Sequence, residues 1–234
     1  MTERSLLFLY GNSLGDQEEA YHAWYEQHVR EMVLVPGVQS AQRFTALKPD
    51  FAKAFPPPPA PHLAIYEFDG KPDAMWDAVM DGTASGAISA PTDAADPAAV
   101  SLQVWAPHKG RIENRSATPR DERGRYFVFG NCVAGQEEVY TEWYDNTHLS
   151  EVLAVPGVLS AQRYTLAEPE FAAGTPATHR YLALYEFEGD ADAVMGGMRA
   201  KSVSGEMVMH DSLDLKTVAM SFWAPRGPKV EAGE

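Results

Sequence analysis

Trp143-Tyr144-Asp145-Asn146-Thr147-His148-Leu149, continued by Val155-Pro156-Gly157-Val158-Leu159-Ser160-Ala161-Gln162-Arg163-Tyr164, is the stretch whose reading decides the fold. It has an earlier counterpart. Trp24-Tyr25-Glu26-Gln27-His28-Val29 is followed by Val35-Pro36-Gly37-Val38-Gln39-Ser40-Ala41-Gln42-Arg43-Phe44. Each copy sets an aromatic pair and a histidine late in an expected helix. Each breaks that helix at Pro-Gly and enters a strand carrying Gln-Arg.

Working outward, residues 6–107 and 126–225 match along their length. Leu9-Tyr10-Gly11-Asn12 corresponds to Val128-Phe129-Gly130-Asn131, and Leu63-Ala64-Ile65-Tyr66-Glu67-Phe68 to Leu182-Ala183-Leu184-Tyr185-Glu186-Phe187. Trp105-Ala106-Pro107 recurs as Trp223-Ala224-Pro225. Two matched segments of this length read as an internal repeat. In each copy a short apolar run precedes an amphipathic helix, two further runs of strand type, a second helix and a last strand. The order is β-α-β-β-α-β, which makes a four-stranded antiparallel sheet with both helices on one face. The bare faces of two such sheets cover each other. The expected fold class is therefore α+β, with two ferredoxin-like repeats packed sheet to sheet within one chain. Residues 1–107 form the first repeat, 108–124 a polar exposed linker, and 125–234 the second repeat with a disordered tail from 226. Asp16 is expected to cap the first helix. Pro107 is expected to stop the fourth strand, and residues 48–61 to form a stiff extended connector.

Composition limits the functions. The chain has 234 residues and a formal net charge of −14, without a basic stripe, which excludes nucleic acid as a partner. No run approaches the roughly 20 apolar residues that span a bilayer, and the start lacks a signal-peptide pattern. A single cysteine, Cys132, points to a reducing, cytoplasmic setting. No Cys/His cluster, Gly-rich phosphate loop or nucleophile elbow is present, so neither a metal nor a cofactor is expected.

Histidine is the first candidate for chemistry. On a regular helix His148 shares a face with Asp145 and Tyr144, three and four residues before it. Asp145 is thus expected to orient His148. His28 follows Tyr25 and Trp24 by three and four residues, while Glu26 points elsewhere. The second copy has one extra residue between its tryptophan and histidine. That residue either rotates the histidine by about 100° or is absorbed as a π-bulge. The alternative for both histidines is a favourable placement at a helix C-terminus. Arg43 and Arg163 sit on core-like strands and need an anionic or phenolic ligand, or a protein carboxylate. Glu67 and Glu186 on the next strand are the structural partners to expect. Asn12 and Asn131 end the first strands, where they make turns or present an amide to a pocket. Trp24, Tyr25, Trp143, Tyr144 and Tyr185 are core residues by default, but their density suits a flat ligand. His210, in the lengthened loop of the second copy, borders one pocket in this reading.

Glu137 to Arg163, read as Glu-x-x-Tyr-x-x-Trp-Tyr-Asp-x-x-His-x-x-Glu-Val-Leu-x-Val-Pro-Gly-Val-x-Ser-Ala-Gln-Arg, resembles the EthD-like branch of the dimeric α+β barrel superfamily. That superfamily includes antibiotic-biosynthesis monooxygenases, muconolactone isomerases and polyketide cyclases. The resemblance implies an intrachain pseudo-dimeric barrel with a ligand pocket between helices and sheet in each half. It also implies a first-helix histidine facing that pocket, matching His148. Ser150 and Arg30 stand where many relatives have proline, and the shorter tryptophan-to-histidine spacing sets His28 apart.

Together these readings lead to a cofactor-independent enzyme that moves protons on a small aromatic, phenolic or lactone-like molecule, as an isomerase, dehydratase, cyclase or lyase. His148 is the base, with Asp145 beside it and His28 as the first-half counterpart. Arg163 and Asn131 polarise a carbonyl, Trp143 and Tyr144 stack on substrate, and Tyr185, Arg43, Asn12, Trp24 and Tyr25 complete the two binding sites. A cofactor-free monooxygenase, a non-catalytic binding or stress-response module, and a haem-binding protein are the alternatives. Association into a homodimer through free outer sheet edges is compatible with this reading.

Overall fold

The computed structural model describes residues 3–172 and 178–233. Eight strands among these residues close into one antiparallel barrel. They are β1 (Ser5–Gly11), β2 (Val38–Leu47), β3 (His62–Phe68), β4 (Ser101–Glu113), β5 (Gly124–Gly130), β6 (Val158–Ala167), β7 (Tyr181–Phe187) and β8 (Ala219–Glu231). Their order around the barrel is β1-β3-β2-β8-β5-β7-β6-β4. Helices α1 (Glu18–Met32) and α2 (Pro72–Ser85) lie in the first half of the chain. The second half carries α3 (Glu137–Trp143), a π turn (Tyr144–His148), α4 (Leu149–Leu153) and α5 (Ala191–Ser204).

Strand alternation sorts the side chains. Leu6, Phe8 and Tyr10 of β1 point into the barrel, where they meet Phe127, Phe129, Leu182 and Trp223 from the second half. Leu7 packs outward beneath α1 with Val29, Met32 and Tyr66. Tyr126 packs outward in the same way beneath the second-half helices, with Tyr144, Val152 and Tyr185. The chain therefore has one core inside the barrel and one under each helix layer. The residue after each Pro at the helix-to-strand corner must be glycine. Gly37 and Gly157 have φ of +93° and +89°, and a Cβ there would lie 2.9 Å and 3.0 Å from the backbone oxygens of Asp69 and Glu188.

Several boundaries differ from the sequence reading. Pro107 does not stop β4. The strand continues to Glu113 and changes partner, leaving β1 and pairing with β6, with Pro107 opposite Tyr164 and Lys109 opposite Arg163. The supposed linker thus begins as strand, and its charges face partners described below. The expected tail is strand as far as Glu231, with Arg226 opposite Arg43 and Glu231 opposite Ser40; residue 234 lies outside the described residues. The ladders β2–β8 and β4–β6 therefore join the strands of the first half of the chain to those of the second and close the ring. Among the described residues the strands close on one another, so the free outer edges that the sequence reading allowed are not found there. Asp16 is not the cap of α1; Gln17 occupies that position without a side-chain cap bond. The stretch read as a plain connector holds a 3-10 turn over Asp50–Ala54.

Candidate active site

The extra residue between Trp143 and His148 is absorbed as the π turn. The wider turn keeps the histidine in register with the tryptophan. The His148 ring stacks on Trp143 at 4.7 Å and 23°, and His28 stacks on Trp24 at 4.7 Å and 27°. Tyr144 and Tyr25 each meet their histidine edge-on.

Loosening the helix separates His148 from Asp145, because three residues along a π turn no longer complete a turn. The expected Asp145–His148 pair is not formed. Instead His148 Nδ1 lies 3.3 Å from Glu151 Oε2, on the first turn of α4. A carboxylate only accepts hydrogen bonds, so Nδ1 carries the proton and Nε2 keeps its lone pair. His148 is 7% exposed. Burial lowers its pKa, the hydrogen bond and charge of Glu151 restore part of the loss, and Arg163 lowers it further. The ring is neutral near pH 7.

His148 forms part of the wall of a cavity of about 430 Å³ between the second-half helices and the barrel. Tyr126, Tyr140, Tyr144 and Tyr185 line one side. Met195, Met198, Met207, Met209 and Met220 line much of the rest, a flexible and polarisable surface. The Tyr144 and Tyr185 hydroxyls lie 3.5 Å apart. Burial raises the pKa of both, so both are protonated at neutral pH and present O–H groups. Phe51 and Phe55 close the cavity from the first half of the chain. The Asp50 N–H donates to Asp192 Oδ1 at 3.0 Å, which anchors this crossing segment to α5.

Arg163 is 1% exposed and does not reach for Glu186. Its Nη1 donates to Asp145 Oδ1 at 2.7 Å, and its guanidinium lies 4.6 Å from the centre of the Tyr144 ring. His108 and Lys109 approach the other Asp145 oxygen at 3.6 Å and 3.8 Å. Arg163 thus stands behind Tyr144 and supports it, rather than lining the cavity. The expected Arg–Glu cross-strand pairs fail for a reason of register. Ser40, not Arg43, pairs with Glu67, and Ser160 pairs with Glu186. The two glutamates therefore face the barrel interior, and the two arginines face the helices.

Inside the barrel, Glu186 collects Arg111, Arg123, Arg120 and Arg125. Burial would raise its pKa, but these guanidinium groups hold the carboxyl well below the usual range. Glu67 takes Arg4 and Lys229. These pairs absorb the charges of the supposed linker and tail.

Asn131 does not reach the cavity. Its amide donates to the Thr178 carbonyl and its oxygen accepts from the Arg180 N–H, holding the loop before β7. Asn12 makes a turn, with Oδ1 accepting from the Ser13 N–H at 2.9 Å. Trp143 backs His148 instead of lining the cavity, and lies between it and His210, whose ring is 5.9 Å away. The methionines lining the cavity supply no sequence motif, and the approach of Phe51 and Phe55 depends on the tertiary crossing. Glu151 stands three residues after the histidine, and that spacing becomes a contact where the extra residue is taken up as a π turn.

Among the described residues, the first half does not repeat the His148–Glu151 contact. His28 is buried, which lowers its pKa despite Glu31 and Ser89 nearby, and its Nδ1 has no partner. Trp76, stacked on Phe171 at 4.7 Å and 13°, holds the place on α2 that Met195 holds on α5. Ile88 fills the space under α1 where Met207 stands in the second half.

No family model and no curated protein matches the chain. Solved structures do. A candidate monooxygenase from Lactobacillus acidophilus NCFM is 8% identical, with 99% of this chain and 98% of that chain covered and a TM-score of 0.56. An anthrone oxidase-like protein is 9% identical, with 100% and 95% covered and a TM-score of 0.54. Chlorite dismutase from Candidatus Nitrospira defluvii, in complex with imidazole, is 8% identical, with 96% and 93% covered and a TM-score of 0.58. The fold is the α+β barrel that these structures share.

Proposed function

We propose that the second-half cavity binds a flat aromatic or phenolic molecule and that His148 moves a proton on it without a cofactor. The observation that carries this reading is a neutral, buried imidazole in the wall of an apolar cavity, with its Nδ1 proton held by Glu151. Nε2 is then the base, and Glu151 stabilises the imidazolium once the proton is taken. The protonated Tyr144–Tyr185 pair donates to the ligand oxygen on which charge develops, and Arg163 behind Tyr144 favours negative charge on that side. Isomerisation, dehydration, cyclisation and lyase cleavage all begin with such a step.

A cofactor-free monooxygenase remains the second reading. Its support is the likeness in fold to candidate monooxygenases and an anthrone oxidase-like protein. We further propose that the chain is a tandem duplication of a ferredoxin-like, EthD-like unit, residues 1–107 and 125–234, in which the second copy keeps the site.

The test is a screen of phenols, anthrones and lactones. Deuterium exchange at carbon is followed by NMR, and dissolved oxygen is recorded alongside. Exchange without oxygen uptake supports proton transfer, and oxygen uptake supports the second reading. Exchange that persists in His148→Ala would remove His148 from the mechanism.

A further inference from the structure

A groove of about 440 Å³ lies on the first half between α1 and the β2–β8 pair, away from the cavity just described. Arg30, Arg43 and Arg226 line it, with Glu26 as the one acid among its lining residues. In a chain of net charge −14 this is a local cluster of cations. Arg43 is 5% exposed and lies directly across the β2–β8 ladder from Arg226. Its guanidinium donates to the His22 carbonyl and His22 Nδ1, both neutral acceptors. Among the described residues, no carboxylate pairs with Arg30, Arg43 or Arg226. Burial lowers the pKa of Arg43; Tyr25 and Tyr21 oppose that, and Arg226 adds to it. Arg43 is therefore a buried cation set across the ladder from a second, exposed one, and a buried charge beside a like charge calls for a counter-ion.

The second half shows what that counter-ion looks like. There Arg163 lies across the β4–β6 ladder from Lys109. The space between them holds the Asp145 carboxylate, with Arg163 Nη1 at 2.7 Å, His108 Nε2 at 3.6 Å and Lys109 Nζ at 3.8 Å. The π turn delivers Asp145 to that position. Helix α1 has no such turn, and Glu26, next after Trp24-Tyr25 as Asp145 is after Trp143-Tyr144, is exposed and without an ion pair among the described residues.

We infer that the first-half groove binds a small oxyanion, a carboxylate or phosphate group, bracketed by Arg43 and Arg226 where the second half uses its own Asp145. The guanidinium fork suits the planar or tetrahedral oxygens of such a ligand. The ligand reaches the groove from solvent, since Arg226 and Arg30 are exposed.

The experiment is a titration of the full chain with inorganic phosphate and, separately, acetate, against chloride at matched ionic strength, read by melting temperature and calorimetry. Wild type should show a saturable rise with phosphate, acetate or both, at a stoichiometry of one. Arg226→Ala, an exposed change that leaves the fold intact, should weaken binding tenfold or more. Lys109→Ala should retain it. Asp145→Ala should take up a second anion per chain, because it opens the matching space. A wild-type response equal to that of chloride, or one unchanged in Arg226→Ala, would overturn the assignment. So would a response seen only in Glu26→Gln, since the groove's ligand would then be the chain's own carboxylate.

Discussion

Asp145 Oδ1 lies 2.7 Å from Arg163 Nη1, and this pair ties the π turn to β6. Asp145 therefore acts on the cation behind Tyr144, not on His148. Removing one member of a largely buried pair leaves the other charge uncompensated, at a cost of about 3–5 kcal/mol. Asp145→Ala should destabilise the fold by about that amount in urea titrations. A loss below about 1 kcal/mol would mean that water already screens the pair.

His148→Ala should lower turnover of any substrate found by about 10² or more, the usual size of a general-base contribution. Glu151→Gln should lower it less and shift the acidic limb of the rate profile downward, because the carboxylate opposes the burial that lowers the His148 pKa. His28→Ala should act on stability, with turnover retained. An unshifted limb in Glu151→Gln would detach the carboxylate from the base.

The barrel should be acid-sensitive well above the carboxylate range. His22, His28, His62 and His148 all have lowered pKa values, in each case with burial as the first cause. For His62, the neighbours His22, Arg43 and Arg226 add to burial, Glu18 opposes them, and the value falls to about 4. A histidine harder to protonate in the folded chain than in the unfolded chain favours folding above its ordinary value of about 6.5. That contribution is lost as pH falls from there, completely so near the folded value. From His62 alone the loss between about pH 6.5 and pH 4 is about 2–3 kcal/mol. His62→Phe should flatten the urea midpoint against pH across that window. A wild-type midpoint that is level from pH 7 to 5 would contradict the burial of these rings.

Phe51→Ala should weaken ligand binding in a cavity whose walls, Phe51 and Phe55 apart, belong to the second half. Loss of this half-buried aromatic wall is expected to cost about tenfold in affinity, or about 1.4 kcal/mol. Phe171→Ala, which removes the stack on Trp76 in the first half, should leave that affinity unchanged. Calorimetry with the best ligand of the screen distinguishes the two; equal losses would point to general loosening.

The matched Trp-Tyr…His…Pro-Gly…Gln-Arg stretches made the strand and helix order legible, because Pro-Gly corners and apolar alternation are local signals. What was missed depends on the other half of the chain. Residues 108–113 read as linker since their charges have no local purpose; Arg111 finds Glu186 only after β4 crosses to β6. Likewise 226–231 read as tail because Arg43, its cross-ladder neighbour, is distant in sequence. The His148 site was half legible. The histidine and its aromatic neighbours stood out, but the extra residue allowed two helix geometries, and only one brings Glu151 to the imidazole and Asp145 to Arg163.

Glu67 offers a last consequence. Arg4, just before β1, reaches one of its oxygens at 3.4 Å, and Lys229, near the end of β8, reaches the other at 3.3 Å. Glu186 gathers Arg111 and Arg123 from either side of the crossing between β4 and β5 in the same manner. The start of β1 and the end of β8 are thus neighbours, as the end of β4 and the start of β5 are. The barrel has no intrinsic first strand. A circular permutant that opens the chain between β4 and β5, and joins residue 231 to residue 4 through a short glycine-rich bridge, should rebuild the same ring with the order of its halves exchanged.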